Sequence, residues 1–573
     1  MSEQKQAQNT GERAADVETV SGIGVSPGRA AGPVAQLAGA VTEPAAGACL
    51  EGEEAIEAAA AAVAEHAVKV AAGLNAAAEA ASGESKEVLE TTAQMAGDPT
   101  LVKVAQGKVR EGTSAPRAVW EAAGAVADQL AALGGYMAER VRDVQDVRDR
   151  IVASLQDLPM PGVPQRDEPF VLVALDLAPA DTALLDPEKV RAIVTAEGGP
   201  TSHTAILARS LGIPAIVGAS GALEALTDGR LVLVDGAAGT VVLDPSDEDV
   251  AAAEKLATQV RTFDGDGRTA DDHKVQLLAN VGDPAGAAKA AEAGAQGVGL
   301  FRTEFCFLDR ADEPTVAEQV EQYRTVLSAF PGKKVVVRTL DAGADKPMPF
   351  LTDTDEPNPA LGVRGLRTSW RSPQILDNQL QAIAEAAAAE SADVWVMAPM
   401  IATVPETEDF VAACERHGLG TAGVMVEVPS AALLSGPILA RAAFASIGTN
   451  DLTQYTMAAD RLLGSLATLS DAFQPAVLRM IEATCRGGEQ QDRPVGVCGE
   501  AAADPATAVV LVGLGVSSLS MSPRSLADVA AVLAATPFAR CQELAQVAVQ
   551  SESADQARAR VREGLPILAE LGL

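Results

Sequence analysis

Apolar positions along the chain fall into three textures. From Glu51 to about Leu158 they recur every three or four residues, as they do on helices that bury one face. EEAIEAAAAAVAEHAVKVAAGLNAAAEAA is one such segment. A second starts at Ala115, after a break at Gly97-Asp98-Pro99, and YMAERVRDVQDVRDRIVASL is a third. His66 lies in the first segment, where a structural role is expected. Short β-like runs flank this block: VSGIGVSPGRAAGPVAQL before it, and FVLVALDL, VRAIVTAEGG, PAIVGA and RLVLVDGAAGTVVLD after a proline-rich joint at residues 159–164. The pattern predicts a polar, disordered tail over residues 1–20 and an α/β domain formed by 21–50 and 159–250. A helical module over 51–158 interrupts that domain.

After a linker at 251–271 the rhythm changes again. Over residues 272–573 eight apolar runs alternate with amphipathic helical stretches: VQLLANVG, GVGLFRTE, KVVVRTLD, VWVMAPMI, AGVMVEVPS, FASIGTND, PVGVCGE and SSLSMSP. Eight βα units over this length predict a (β/α)8 TIM barrel. The fold class is therefore α/β and multidomain: an α/β domain with an inserted helical bundle, then a C-terminal barrel.

Composition narrows the function classes. The 573 residues exceed one hydrophobic core. A 48% apolar content supplies cores, which excludes a disordered chain. The formal charge of -34, from 78 acidic and 44 basic residues, repels phosphate backbones and anionic lipid. It argues against nucleic-acid binding and suits either solubility or the steering of a basic partner. No stretch reaches the ~18 uninterrupted apolar residues of a membrane span, and the opening residues lack a signal-peptide core. The six cysteines form no C-x-x-C pair, which fits a reduced cytoplasm.

The polar residues of the last domain sit at the C-terminal ends of the apolar runs: Asn280, Arg302 with Glu304, Arg338 with Asp341, Glu427, Asn450 with Asp451, and Cys498 with Glu500. A TIM barrel gathers its chemistry at those ends. Arg302, Arg338 and Arg461 can form a guanidinium clamp for phosphate or carboxylate oxygens. Glu427 and Asp451 suit Mg²⁺, which takes one or two carboxylates and completes its shell with water and substrate. The implied ligand is a small phosphorylated carboxylate. The alternative is a set of rim salt bridges, which accounts for one pair more readily than for five strand ends.

In GGPTSHTAILARSLGIPAIVG a β-like run leads through Gly198-Gly199 into a helix starting near Thr201 or Ser202. A hydroxyl cap followed by His203 sets an imidazole beside free backbone N–H groups, where an anion is stabilised. Histidine can act as a covalent nucleophile. Of the four histidines (His66, His203, His273, His417), only His203 has this setting.

This segment resembles the phosphohistidine signature of the phosphoenolpyruvate-utilising enzymes: Enzyme I, pyruvate phosphate dikinase and phosphoenolpyruvate synthase. GVGLFRTEFCFLDR, VVVRTLDAGADKP, NPALGVRGLR, GVMVEVPSA, SIGTNDLTQYTMAADR and GVCGEAAADP are similar to the phosphoenolpyruvate-binding barrel of that family. The dikinase and synthase carry a large ATP-binding module ahead of the histidine domain. Here a helical block and no glycine-rich nucleotide loop precede His203, so the order resembles the Enzyme I branch of the bacterial sugar phosphotransferase system.

The resemblance implies a cytoplasmic phosphotransferase that dimerises through its barrel. It would pass a phosphoryl group from phosphoenolpyruvate to His203 and then to the histidine of the carrier HPr, docked on the helical insert, with release of pyruvate. It implies that Arg302, Arg338, Asn450, Asp451 and Arg461 hold phosphoenolpyruvate, with Arg364 and Lys346 as further anion contacts. Glu427 and Asp451 would bind Mg²⁺, and Cys498 would protonate the enolate carbon. Pro200 stands where many members carry arginine, and LLGSLATLSDAFQPAV after Arg461 departs from the family's usual continuation. The rival expectations are an ATP-linked synthase-like enzyme and a silent scaffold that docks HPr.

Overall fold

A computed structural model of the chain describes residues 18–37, 41–46, 52–80, 84–133, 140–158, 160–164, 166–177, 181, 185–199, 202–257, 261–308, 310–342, 348–352, 356, 358–461 and 463–573. The chain forms two compact units, Met1–Thr258 and Gln259–Leu573.

The first unit is built on strands β1 (Thr19–Ser21), β2 (Ile23–Ser26), β3 (Arg29–Gln36), β4 (Phe170–Ala174), β5 (Val190–Thr195), β6 (Ala215–Val217), β7 (Leu231–Asp235) and β8 (Thr240–Leu243). They make one sheet in the order β1-β8-β7-β3-β4-β5-β6-β2. β4 and β5 are buried on both faces, which is why they read as continuous apolar runs. Val171, Val173 and Val194 pack into one cluster, while Phe170, Leu172 and Ile193 pack into another. The period of two sends alternate residues to opposite faces.

Between β3 and β4 the chain forms α1 (Glu53–Ala80), α2 (Glu84–Ala96), α3 (Pro99–Arg110), α4 (Ala115–Leu133) and α5 (Val141–Leu155). In α1 the buried side chains are Ala60, Val63, Ala67, Val70, Leu74 and Ala78, a stripe at helical spacing. The sequence pattern singled out three helical segments, and the structure adds α2 and α3. The Gly97-Asp98-Pro99 break is the start of α3: Asp98 accepts the Thr100 N–H at 2.5 Å, and proline fills the first helical position. His66 Nδ1 lies 2.8 Å from Ser154 Oγ, joining α1 to α5 in the structural role expected of it.

In the second unit all eight apolar runs are strands: β9 (Gln276–Val281), β10 (Gly297–Arg302), β11 (Lys334–Arg338), β12 (Asp393–Ala398), β13 (Ala422–Val426), β14 (Ala445–Ile447), β15 (Val495–Val497) and β16 (Ser518–Met521). Parallel pairing from β9 to β16 and back to β9 closes a barrel. Leu300, Val336, Met397, Met425, Phe444 and Cys498 fill its interior. Gly423 leaves room for the Phe444 ring, which would lie 2.3 Å from a Cβ at that position. Outside the barrel, α7 (Val316–Ser328) and α8 (Pro373–Ala389) pack side by side, and α9 (Thr449–Met457) follows β14. Among the described residues no helix is long and apolar enough to cross a membrane.

Candidate active site

In the first unit, β5 leads through Gly198, held at φ 95°, into α6 (His203–Leu211). Ser202 caps this helix, its Oγ accepting the Ala205 N–H at 3.2 Å, and Gly212 ends it at φ 69°. The backbone of His203 therefore occupies the first helical position, beside N–H groups that lack an intrahelical partner. The His203 ring, Pro200 and Thr201 lie outside the described residues. Asp176, just after β4, accepts the Thr204 hydroxyl at 3.4 Å, and its other oxygen lies 3.5 Å from Arg142 Nη2 on α5.

In the second unit the strand ends converge on one charged network. Arg338, ending β11, donates through Nη2 to Glu304 Oε1 at 2.9 Å, and its Nη1 lies 3.2 Å from Asp341 Oδ2. The same Asp341 oxygen accepts from Arg364 Nη2 at 3.3 Å. Arg364 Nη1 reaches Asp451 Oδ1 at 3.4 Å, and Arg461 Nη1 reaches Asp451 Oδ2 at 3.5 Å. Burial disfavours the charges of Arg338 and Arg364, yet the network wins: Glu304 and Asp341 hold Arg338 charged, and Asp341 and Asp451 do the same for Arg364. Against the same burial, Arg338 and Arg364 hold the Asp341 carboxyl below its usual range.

Arg302, ending β10, is different. Among the described residues its side chain makes no hydrogen bond or ion pair, and burial together with the neighbouring Arg338 charge depresses its pKa. A half-buried cation beside another cation, with no partner of its own among the described residues, is relieved by an incoming anion.

Glu427, just beyond β13, is 1% exposed, and its Oε1 accepts the Met400 N–H at 2.6 Å. Burial, then the neighbouring Asp451 and Asp341 carboxylates, pushes its pKa up to about 8. Its Oε2 lies 2.8 Å from where a Cβ at Gly448 would stand, so the glycine leaves space beside that oxygen. A carboxylate whose charge is disfavoured by burial and by acidic neighbours is relieved by a hard divalent cation. Among the described residues no group of three or more His, Cys, Asp or Glu is arranged to hold a metal. Two carboxylates with open coordination positions are the pattern of Mg²⁺ shared with a substrate.

Cys498, just after β15, is 2% exposed inside the barrel, and burial pushes its thiol up to about 11. Its carbonyl accepts from Asn280 Nδ2 at 3.1 Å, and Asn280 in turn accepts from the Ser520 hydroxyl at 2.6 Å.

The structure thus brings Arg302, Arg338, Arg364, Arg461, Glu427, Asp451 and Cys498 to one end of the barrel. Asn450 Oδ1 accepts the Glu500 N–H at 3.2 Å, tying the first turn of α9 to the segment that follows β15. Lys346 lies outside the described residues. Sequence reasoning marked Glu304 and Asp341 as rim residues without giving them a task. It missed Met400, Gly365 and Tyr455; Tyr455, on α9, donates to the Ala360 carbonyl. Met400 lies inside an apolar run, where nothing marks a backbone donor.

Comparison with known proteins assigns the family. Three family descriptions match in order: "PEP-utilising enzyme, N-terminal" over residues 21–140, "mobile domain" over 166–239, and "PEP-binding domain" over 257–537. A phosphoenolpyruvate-protein phosphotransferase of Streptomyces coelicolor is 50% identical over 94% of this chain and 98% of its own. The chain belongs to the phosphoenolpyruvate-protein phosphotransferase family. Other members similar to it include that of Haloferax volcanii, 42% identical over 83% of this chain and 86% of its own. That of Staphylococcus carnosus is 37% identical over 80% and 84%. Within this phosphotransferase family match, α6 falls in the mobile domain and the charged barrel end in the PEP-binding domain.

Proposed function

We propose that this phosphoenolpyruvate-protein phosphotransferase uses His203 as its acceptor and passes the phosphoryl group on to the histidine of HPr. In the first step the bond between phosphorus and the enol oxygen breaks as a bond from phosphorus to Nε2 of His203 forms. The enolate left behind takes a proton on carbon from the Cys498 thiol and leaves as pyruvate, and solvent returns the proton to the sulfur.

The observation that carries this reading is the charged end of the barrel: Arg302 without a partner among the described residues, three further arginines fixed by carboxylates, and a thiol kept protonated by burial. Arg302, Arg338, Arg364 and Arg461 would meet the phosphate and carboxylate oxygens, with Asn450 and Lys346 assisting. Glu427 and Asp451 would hold Mg²⁺, which when bound supplies positive charge to the phosphoryl oxygens. The cap of α6 favours an anion on His203.

One histidine has to serve two partners, so its domain has to move between the barrel and HPr on the helical insert. Exposed Trp370, Leu433 and Leu434 on the second unit offer apolar surface that a second copy of the chain would cover. The five described cysteines are free and buried, as expected in the cytoplasm.

The test is intact mass after incubation with phosphoenolpyruvate and Mg²⁺. The expected result is an acid-labile gain of one phosphoryl group, absent in His203→Ala and discharged by HPr. No gain in the unaltered protein would overturn the reading. Sedimentation that shows only monomer at micromolar concentration with Mg²⁺ and substrate would remove the dimer.

A further inference from the structure

Under the charged end of the barrel lies a set of polar side chains sealed from solvent. Thr303, Glu304, Tyr323 and Gln379 are each 1% exposed or less. The Thr303 hydroxyl donates to the Arg338 carbonyl at 2.8 Å. Gln379 Nε2, on α8, donates to Thr303 Oγ1 and to Tyr323 Oη, both at 3.0 Å, while its Oε1 accepts the Leu340 N–H at 2.8 Å. These bonds lock the end of β10 to the end of β11. Glu304 is the one charged member. Its Oε1 accepts twice, from Arg338 Nη2 at 2.9 Å and from the Asp341 N–H at 3.0 Å. Its Oε2 is buried and has no hydrogen-bond partner among the described residues.

As a stabilising device this arrangement is poor. A buried carboxylate with one oxygen unsatisfied costs free energy, and a well-packed apolar residue in its place is often neutral or better. As a positioning device it is apt. One oxygen fixes one arm of the Arg338 guanidinium and also the peptide that starts the next loop. That loop carries Asp341, whose Oδ2 lies 3.2 Å from the other arm. With both arms held, Arg338 gives up little rotamer entropy when an anion arrives.

We propose that Glu304 is a positioning residue for phosphoryl transfer, acting through Arg338. The proposal rests on the reading of Arg338 as a substrate contact. The experiment is a double-mutant cycle on pyruvate release from phosphoenolpyruvate, with kcat and KM resolved, using the full chain with Mg²⁺ and HPr. Glu304→Ala is expected to lower kcat/KM about 100-fold with a normal Arg338, and less than about 2-fold in an Arg338→Ala background. Glu304→Gln keeps an acceptor oxygen and loses the charge. It is expected to recover about 10-fold of that loss, and to have no effect without Arg338.

Equal losses in both backgrounds would overturn the positioning role and leave the functional reading standing. So would a Glu304→Ala enzyme within about 2-fold of the unaltered one. If Glu304→Ala fails to fold, the Glu304→Gln cycle decides by the same criterion. Unaltered protein that releases no pyruvate, or an Arg338→Ala variant as fast as it, would overturn the functional reading and the positioning role together.

Discussion

The backbone N–H of Met400 donates to Glu427 Oε1 at 2.6 Å, and Met400 does so from a left-handed conformation with φ of 59°. Non-glycine residues rarely stay there, at a cost of order 1–3 kcal/mol, unless the surroundings hold them. Gly365 packs against it, itself at φ 58°, where a Cβ would lie 2.8 Å from the Met400 side chain and 3.2 Å from Asp341 Oδ1.

Gly365→Ala therefore strains one left-handed residue and crowds another. It should destabilise the second unit by about 1–3 kcal/mol and lower pyruvate release more than stability alone explains, because it disturbs Glu427 and Asp341 together. Denaturant unfolding and turnover of the same preparation check this. An alanine variant with unchanged turnover would show that the Met400 contact is dispensable.

Among the described residues Arg302 makes no hydrogen bond or ion pair, so its loss should fall on substrate recognition. Arg302→Ala is expected to lower kcat/KM for phosphoenolpyruvate about 100-fold, with little change in unfolding midpoint, because no native ion pair is broken. Arg302→Lys keeps the charge and loses the fork, and should recover no more than about 10-fold. An alanine variant within about 3-fold of the unaltered enzyme would remove Arg302 from the site.

How these two residues became visible differs. Arg302 could be read from the sequence because it ends an apolar run, and a parallel barrel exposes the C-terminal ends of its strands. All eight strands were legible for the same reason, since a strand buried on both faces must be apolar throughout. Met400 was not legible: its contribution is a peptide N–H in a particular conformation, which no side-chain pattern records. Helices α2 and α3 escaped because threonines, lysines and a glycine dilute their apolar stripe. The roles of Glu304 and Asp341 needed distances, since a carboxylate near an arginine in sequence can face either a ligand or its neighbour.

The Cys498 thiol, pushed up to about 11 by burial, should serve as an acid over the whole physiological range. The sign is simple: proton donation needs the thiol form, which dominates below that value and is lost as pH rises through it. At pH 8 the thiolate fraction is about 1 in 1000, against about one in four for an unperturbed cysteine. Iodoacetamide should therefore modify the Cys498 peptide at least about 100-fold more slowly than free cysteine, as peptide mass mapping would show. Rapid labelling at pH 8 would contradict a buried, protonated thiol. Cys498→Ala should still form phosphohistidine and release pyruvate slowly, since only the protonation of the enolate is impaired.

Stability of the first unit should depend on a buried charge at the base of its helical insert. Arg150, on α5, donates to Asp146 one turn away at 2.8 Å and to Asp181 at 2.7 Å, and all three side chains are at most 8% exposed. Asp181 follows β4, so the guanidinium ties the inserted helices back to the sheet. Asp146 alone is a weak partner: burial raises its pKa, and the nearby Asp149 and Asp143 add to that, although Arg150 opposes it. Removing Asp181 leaves a buried guanidinium undercompensated, which costs about 3 kcal/mol where such pairs have been broken from one side. Asp181→Ala should shift the unfolding of the first unit by that amount and leave that of the second unit in place, because the two are separate compact units. Asp181→Asn keeps an acceptor for Arg150 and should recover part of the loss. Calorimetry of the full chain resolves the two cases. If Asp181→Ala leaves the first transition unchanged, Arg150 has found water instead, and the insert is held to the sheet by apolar packing alone.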